Sequence, residues 1–127
     1  MAATSAPIGA VSYRLARERV VADVRAGRRT RTEVCDAQPE LRRVVEHGAD
    51  PTGDACPICD DADLVLATFA FGPGLPAGGR AVMTDDDVRR LRRRSRVTVC
   101  YVVEVCPNCW WNHLRESFTF GDRAVGA

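Results

Sequence analysis

Residues 97–120, VTVCYVVEVCPNCWWNHLRESFTF, decide how this chain is read. Over 97–105 the residues alternate as in an extended strand. Val97, Val99, Tyr101, Val103 and Val105 fall on one face, and Thr98, Cys100, Val102 and Glu104 on the other. Cys106-Pro-Asn-Cys109 turns the chain, and 112–120 returns as a second strand with Leu114, Phe118 and Phe120 on one side. The spacing of those two cysteines occurs once more, as Cys56-Pro-Ile-Cys59, just before a third apolar run, LVLATFAF at 64–71.

A Cys-x-x-Cys turn sets two thiolates on the same side of a tight loop, able to fill two corners of a tetrahedron around zinc. Two such turns complete a closed site of four sulfurs. Cys56, Cys59, Cys106 and Cys109 are therefore the expected ligands of one structural Zn2+. A closed site leaves no open position for substrate, so its contribution is folding energy rather than catalysis. One pair before a strand and one at the tip of a hairpin is the layout of a zinc ribbon, with three antiparallel strands clamped at one end. The 46 residues between the pairs leave room for a loop and an inserted helix at about 85–95. A thioredoxin-like redox site would set one pair at a helix N-terminus after a strand, and neither pair is so placed. His113 lies four residues past Cys109 in a presumed strand and is read as a polar neighbour rather than a ligand. Cys35 and Cys100 are read as buried free thiols that behave as small hydrophobes.

Upstream, the first 48 residues read as helical. Tyr13, Ala16, Val20 and Val24 recur at helical spacing, and Gly27 suits the stop. Thr30 with Glu33 is a capping-box pattern, and Pro39 opens a further helix with Leu41, Val44 and Val45 inward. Residues 50–63 read as an acidic, turn-rich loop. Thr84 caps a helix with three aspartates in its first turn. The expected fold is α+β: a helical arm, 1–48, packed on a zinc-ribbon domain, 49–127, the two forming one folding unit.

With 127 residues and 46% apolar content the chain suits one modest core, and a net charge of +1 offers no global pull on nucleic acid or membrane. All 18 basic residues are arginine, which reads as codon usage in a GC-rich genome rather than as chemistry. Charge is uneven along the chain: five aspartates and no base over 48–79, but six arginines against three aspartates over 85–96. Arg89, Arg93 and Arg96 are thus the candidate contacts to nucleic acid or a protein partner, and Trp110 and Trp111 candidate recognition anchors. The N-terminus carries no export pattern and no apolar run is long enough to span a bilayer, so a cytoplasmic protein with reduced thiols is expected. No phosphate loop, paired carboxylates or activated nucleophile stands out, and no small-molecule substrate is evident. The expected protein is not an enzyme.

RTEVCDAQPEL at 31–41, PTGDACPIC at 51–59 and YVVEVCPNCWWNHL at 101–114 together resemble an uncharacterised actinobacterial family of small zinc-ribbon-like proteins, over nearly the whole chain. Trp110 stands where that family commonly has glycine, and Gln38 where it has histidine or a similar residue. The resemblance implies a cytosolic ribbon and no activity. The function expected is a non-enzymatic zinc adaptor making protein–protein contacts in a cytosolic machine, plausibly of transcription or translation. The alternatives are nucleic-acid binding through the arginine-rich helix and a zinc–thiol redox switch.

Overall fold

The alternation over 97–105 forms the central strand of a sheet, and the sheet is larger than two cysteine turns and three strands require. In the computed structural model, which describes residues 9–94 and 96–121, the elements run in chain order as follows. Strand β1 is Gly9–Ser12, and helices α1 (Arg14–Arg25), α2 (Arg31–Val34) and α3 (Pro39–Glu46) come next. Strands β2 (Asp50–Ala55), β3 (Asp63–Phe71) and β4 (Arg80–Ala81) precede helix α4 (Asp85–Arg92). Strands β5 (Thr98–Val105) and β6 (Asn112–Phe120) complete the order. All pairings are antiparallel, in the order β1-β6-β5-β3-β2, with β4 beside the far end of β3.

The expected α+β layout, a helical arm packed on a three-stranded zinc ribbon, is therefore overturned. The fold is a curled antiparallel sheet of six strands, a half-barrel, with four short helices among the described residues. The extra strands come from segments read as arm or loop. All four residues of β1 are exposed, and so are five of the six in β2, which contains Pro51 and a bulge between Pro51 and Ala55. Edge strands of this kind are made by backbone pairing rather than by a buried face, and proline and bulges belong at such edges. They show no apolar alternation to read.

Curling is evident across the strands. In a flat sheet β6 and β2, three spacings apart, would lie about 14 Å from one another. Yet Arg115 Nη2 on β6 reaches Asp54 Oδ2 on β2 at 3.3 Å. A bulge at Arg115, where the register of β6 against β5 shifts between Val102 and Val103, bends β6 toward that face.

The inner face carries two small cores. At the cysteine end, Val21 of α1 and Val34 of α2 pack with Leu64, Cys56, Cys106 and Trp111. At the other end Leu91 of α4 packs on Ala70 and Cys100, with Phe118 and Phe120 alongside. Helix α3 lies on the opposite face, where Leu41, Phe69, Phe71, Tyr101 and Val103 line a shared groove.

Local signals place the helices. Thr30 Oγ1 accepts from Glu33 N at 3.2 Å while Glu33 Oε1 accepts from Thr30 N at 3.1 Å. Thr84 and Asp87 form the same reciprocal cap on α4. Gly27, at φ +79, follows the end of α1, a conformation a β-carbon disfavours. The stripe on α1 differs from expectation: Val20, Val21 and Val24 face the core together with Arg17, and Ala16 is exposed. The face turns because the Arg17 guanidinium has a buried partner on the sheet.

Candidate metal centre

The two cysteine turns repeat one backbone design. Cys56 N donates to Ala62 O at 2.8 Å and Asp60 N to Cys56 O at 3.1 Å, closing the first loop. Cys106 N donates to Trp111 O at 2.9 Å and Trp110 N to Cys106 O at 3.0 Å, closing the second. In each turn two amides point at the first sulfur. Ile58 N and Cys59 N lie 3.4 and 3.5 Å from Cys56 Sγ, and Asn108 N and Cys109 N both 3.4 Å from Cys106 Sγ. The residue after each second cysteine is left-handed, Asp60 at φ 58 and Trp110 at φ 69. Glycine adopts that conformation most readily, so Asp60 and Trp110 are held there by the turns.

The turns face one another across the sheet end. All four sulfurs lie within 4.8 Å of one another, with Cys56–Cys109 at 3.7 Å and Cys59–Cys106 at 3.6 Å. A tetrahedral ion with sulfurs at about 2.3 Å would set sulfur–sulfur edges of about 3.8 Å, so the four thiols fit a tetrahedral thiolate site. Cys56 and Cys106 are buried, whereas Cys59 and Cys109 are half-buried.

Burial raises the thiols of Cys56 and Cys106 above the ordinary range. It pushes Cys109 up to about 12, against the opposing Trp111 amide and with Cys35 and Cys56 adding to the rise. At Cys59 burial also acts upward, but the Asp61 amide, the Asn108 side chain and two neighbouring thiols outweigh it and bring the group down to about 7. A metal entering this cluster must displace protons, as thiolate sites do.

Behind the second turn lies a charged network that the sequence did not single out. Glu104 is 0% exposed, and both its oxygens accept from Arg17 Nε at 2.8 Å. Trp111 Nε1 donates to Glu104 Oε2 at 2.8 Å, and Arg115 Nε lies 3.5 Å from Oε1. One carboxylate thus ties α1, β5, β6 and the tryptophan that seals the cluster. An acid inside a valine-rich strand is the signal that could have marked it, since buried charges are rare unless paired.

The remaining candidates scatter. Of the two tryptophans offered as candidate partner contacts, Trp111 is the one that packs against the cysteines, at 0% exposure, and it presents no surface. Trp110 is half-buried, with the Arg42 guanidinium 4.9 Å from its ring centre. Arg89 is paired with Asp86, while Arg93 and Arg96 are exposed. His113 stacks on Trp111 at 5.9 Å between ring centres and takes no place in the sulfur cluster. Cys100 is buried in the far core. Cys35, from the loop after α2, comes within 3.6 Å of Cys109 although 74 residues separate them. No local pattern announces that approach.

Fold and site together define a small curled-sheet protein with a four-cysteine cluster able to hold a metal ion. The chain belongs to the DUF5318 family, a family of unknown function, which matches residues 6–127. It is 37% identical over 111 residues to uncharacterised proteins of Mycobacterium tuberculosis and Mycobacterium bovis, covering 87% of this chain and 81% of each relative. No solved structure matches. Among the described residues no helix is long and apolar enough to cross a membrane.

Proposed function

We propose that Cys56, Cys59, Cys106 and Cys109 hold one structural zinc ion, and that the protein is a non-enzymatic adaptor binding another protein in a cytosolic machine. The observation that carries the zinc reading is the set of four sulfurs within 4.8 Å, each turn aiming backbone amides at its first cysteine. Four thiolates around one ion favour zinc or iron, and a closed tetrahedral site suits a structural role. Four protein ligands leave no open coordination position for a reacting substrate. That favours adaptor over enzyme.

Native mass spectrometry of the reduced protein tests the zinc reading. One zinc per chain, lost in Cys56→Ser and in Cys106→Ser, is expected; an apo chain or bound iron would overturn it. For the adaptor, co-purification from the native cytosol at moderate salt should return one specific protein. Salt-sensitive retention on DNA or RNA, weakened by Arg93→Ala and Arg96→Ala, would favour the nucleic-acid reading instead.

A further inference from the structure

We propose that Cys35 is an oxidation site for small hydroperoxides, closing a disulfide with Cys109 and so removing one ligand from the metal centre. The inference rests on the metal reading above and names the residue through which that site is controlled.

Cys35 stands beside one vertex of the cluster and outside the rest. Its sulfur is 3.6 Å from Cys109, yet it is absent from the set of four that lie mutually within 4.8 Å. A tetrahedral ion bound by the four leaves Cys35 as an uncoordinated thiol next to a coordinated one. Closing the gap to a disulfide of about 2.05 Å moves the two sulfurs together by about 1.5 Å.

The approach is built in by the fold. Ala37 N donates to Trp110 O at 3.4 Å, and Asn112 Nδ2 to Asp36 Oδ1 at 3.1 Å, so the loop after α2 is fastened to the second cysteine turn. Val34, immediately before Cys35, is buried in the core that contains Cys56, Cys106 and Trp111. Access differs among the sulfurs: Cys35, Cys59 and Cys109 are half-buried, whereas Cys56 and Cys106 are 1% and 0% exposed, and of the accessible three only Cys35 lies outside the four that would hold an ion.

The chemistry takes two steps. Cys35 sulfur attacks one peroxide oxygen, the O–O bond breaks, and Cys35 becomes a sulfenic acid while the other oxygen leaves as water or alcohol. Cys109 thiolate, leaving the metal, then attacks the sulfenic sulfur and expels hydroxide, which takes up a proton to become water. Two thiol groups lose two electrons and the peroxide gains them, so that only Cys56, Cys59 and Cys106 would remain to hold an ion. Reduction of the bridge by a small dithiol restores the fourth.

The test uses the zinc-loaded, reduced full chain treated with hydrogen peroxide, followed by native mass spectrometry and peptide mapping of bridges. Zinc is expected to leave in step with a Cys35–Cys109 bridge and to rebind after a dithiol is added. Cys35→Ser is expected to take up one zinc and to lose it roughly tenfold more slowly under the same peroxide. A bridge joining other cysteines, or loss from Cys35→Ser as fast as from the unaltered chain, overturns the proposal. So does a folded Cys35→Ser that takes up no zinc, because Cys35 would then be a ligand. Should Cys35→Ser not fold, bridge mapping on the unaltered chain decides alone. If the unaltered chain takes up no metal, the zinc reading fails, and mapping of the metal-free chain still shows whether Cys35 pairs with Cys109.

Discussion

Glu104 carries its carboxylate into a position with 0% exposure, and Arg17, Arg115 and Trp111 meet it there. Breaking a buried pair by neutralising one partner leaves the other charge without compensation, at a cost of about 3–5 kcal/mol. Glu104→Gln should therefore lower the unfolding free energy measured in urea by that order, with Arg17 the orphaned group. A loss under about 1 kcal/mol would mean that water replaces the carboxylate, which the burial argues against. The two adjacent tryptophans should respond in opposite ways. Trp111→Ala removes a fully buried ring from the cysteine core and should cost about 3–5 kcal/mol in the same assay. Trp110→Gly loses a cation–π contact of about 0.5–1 kcal/mol together with the packing of a half-buried ring, but relieves a left-handed backbone at φ 69 worth about 1–3 kcal/mol. Its net change should be near zero. A loss of about 2 kcal/mol or more would mean that ring packing outweighs the relief of the left-handed backbone.

Short helices depend on their ends, because each has too few internal hydrogen bonds to offset nucleation. Thr84→Ala should cost about 1 kcal/mol through the lost bond to the Asp87 amide, and Thr30→Ala should act likewise on α2. Asp87 adds a pH dependence. The Met83 amide, then the Thr84 amide and hydroxyl, hold its carboxyl below the usual range. A depressed folded value means the stabilisation is complete above the unfolded value near pH ~4 and is lost as pH falls through the folded one. The stability gap between the unaltered chain and Asp87→Asn, measured by urea at a series of pH values, should be widest at neutrality and close in acid. A gap independent of pH would remove the carboxylate from the cap. These ends were readable because a cap spans four residues. Strands β1 and β2 were not, since exposed edges carry no alternation and their partners lie far along the chain.

Across the whole molecule the two cores share one face but sit at opposite ends of it, and only the cysteine end contains the cluster. With the proposed ion bound, its removal by a chelator under reducing conditions should loosen one end first. Amide exchange should accelerate over 56–64 and 105–113 more than over 68–71 and 98–101; equal acceleration everywhere would mean that the half-barrel melts as one unit. The Cys-x-x-Cys spacing, the helix caps and the three long strands were determined by the sequence itself, because each is settled within a few residues by backbone reach and side-chain chemistry. The closing of two cysteine turns into one cluster was legible as a pairing of like motifs. What only the tertiary structure decided was the six-stranded curl, the seat of Glu104 between two arginines 11 and 87 residues away, and the approach of Cys35 to Cys109. Those depend on which backbones pair and how far the sheet bends, and the decisive contacts, Arg17 with Glu104 and Cys35 with Cys109, join residues 87 and 74 positions apart.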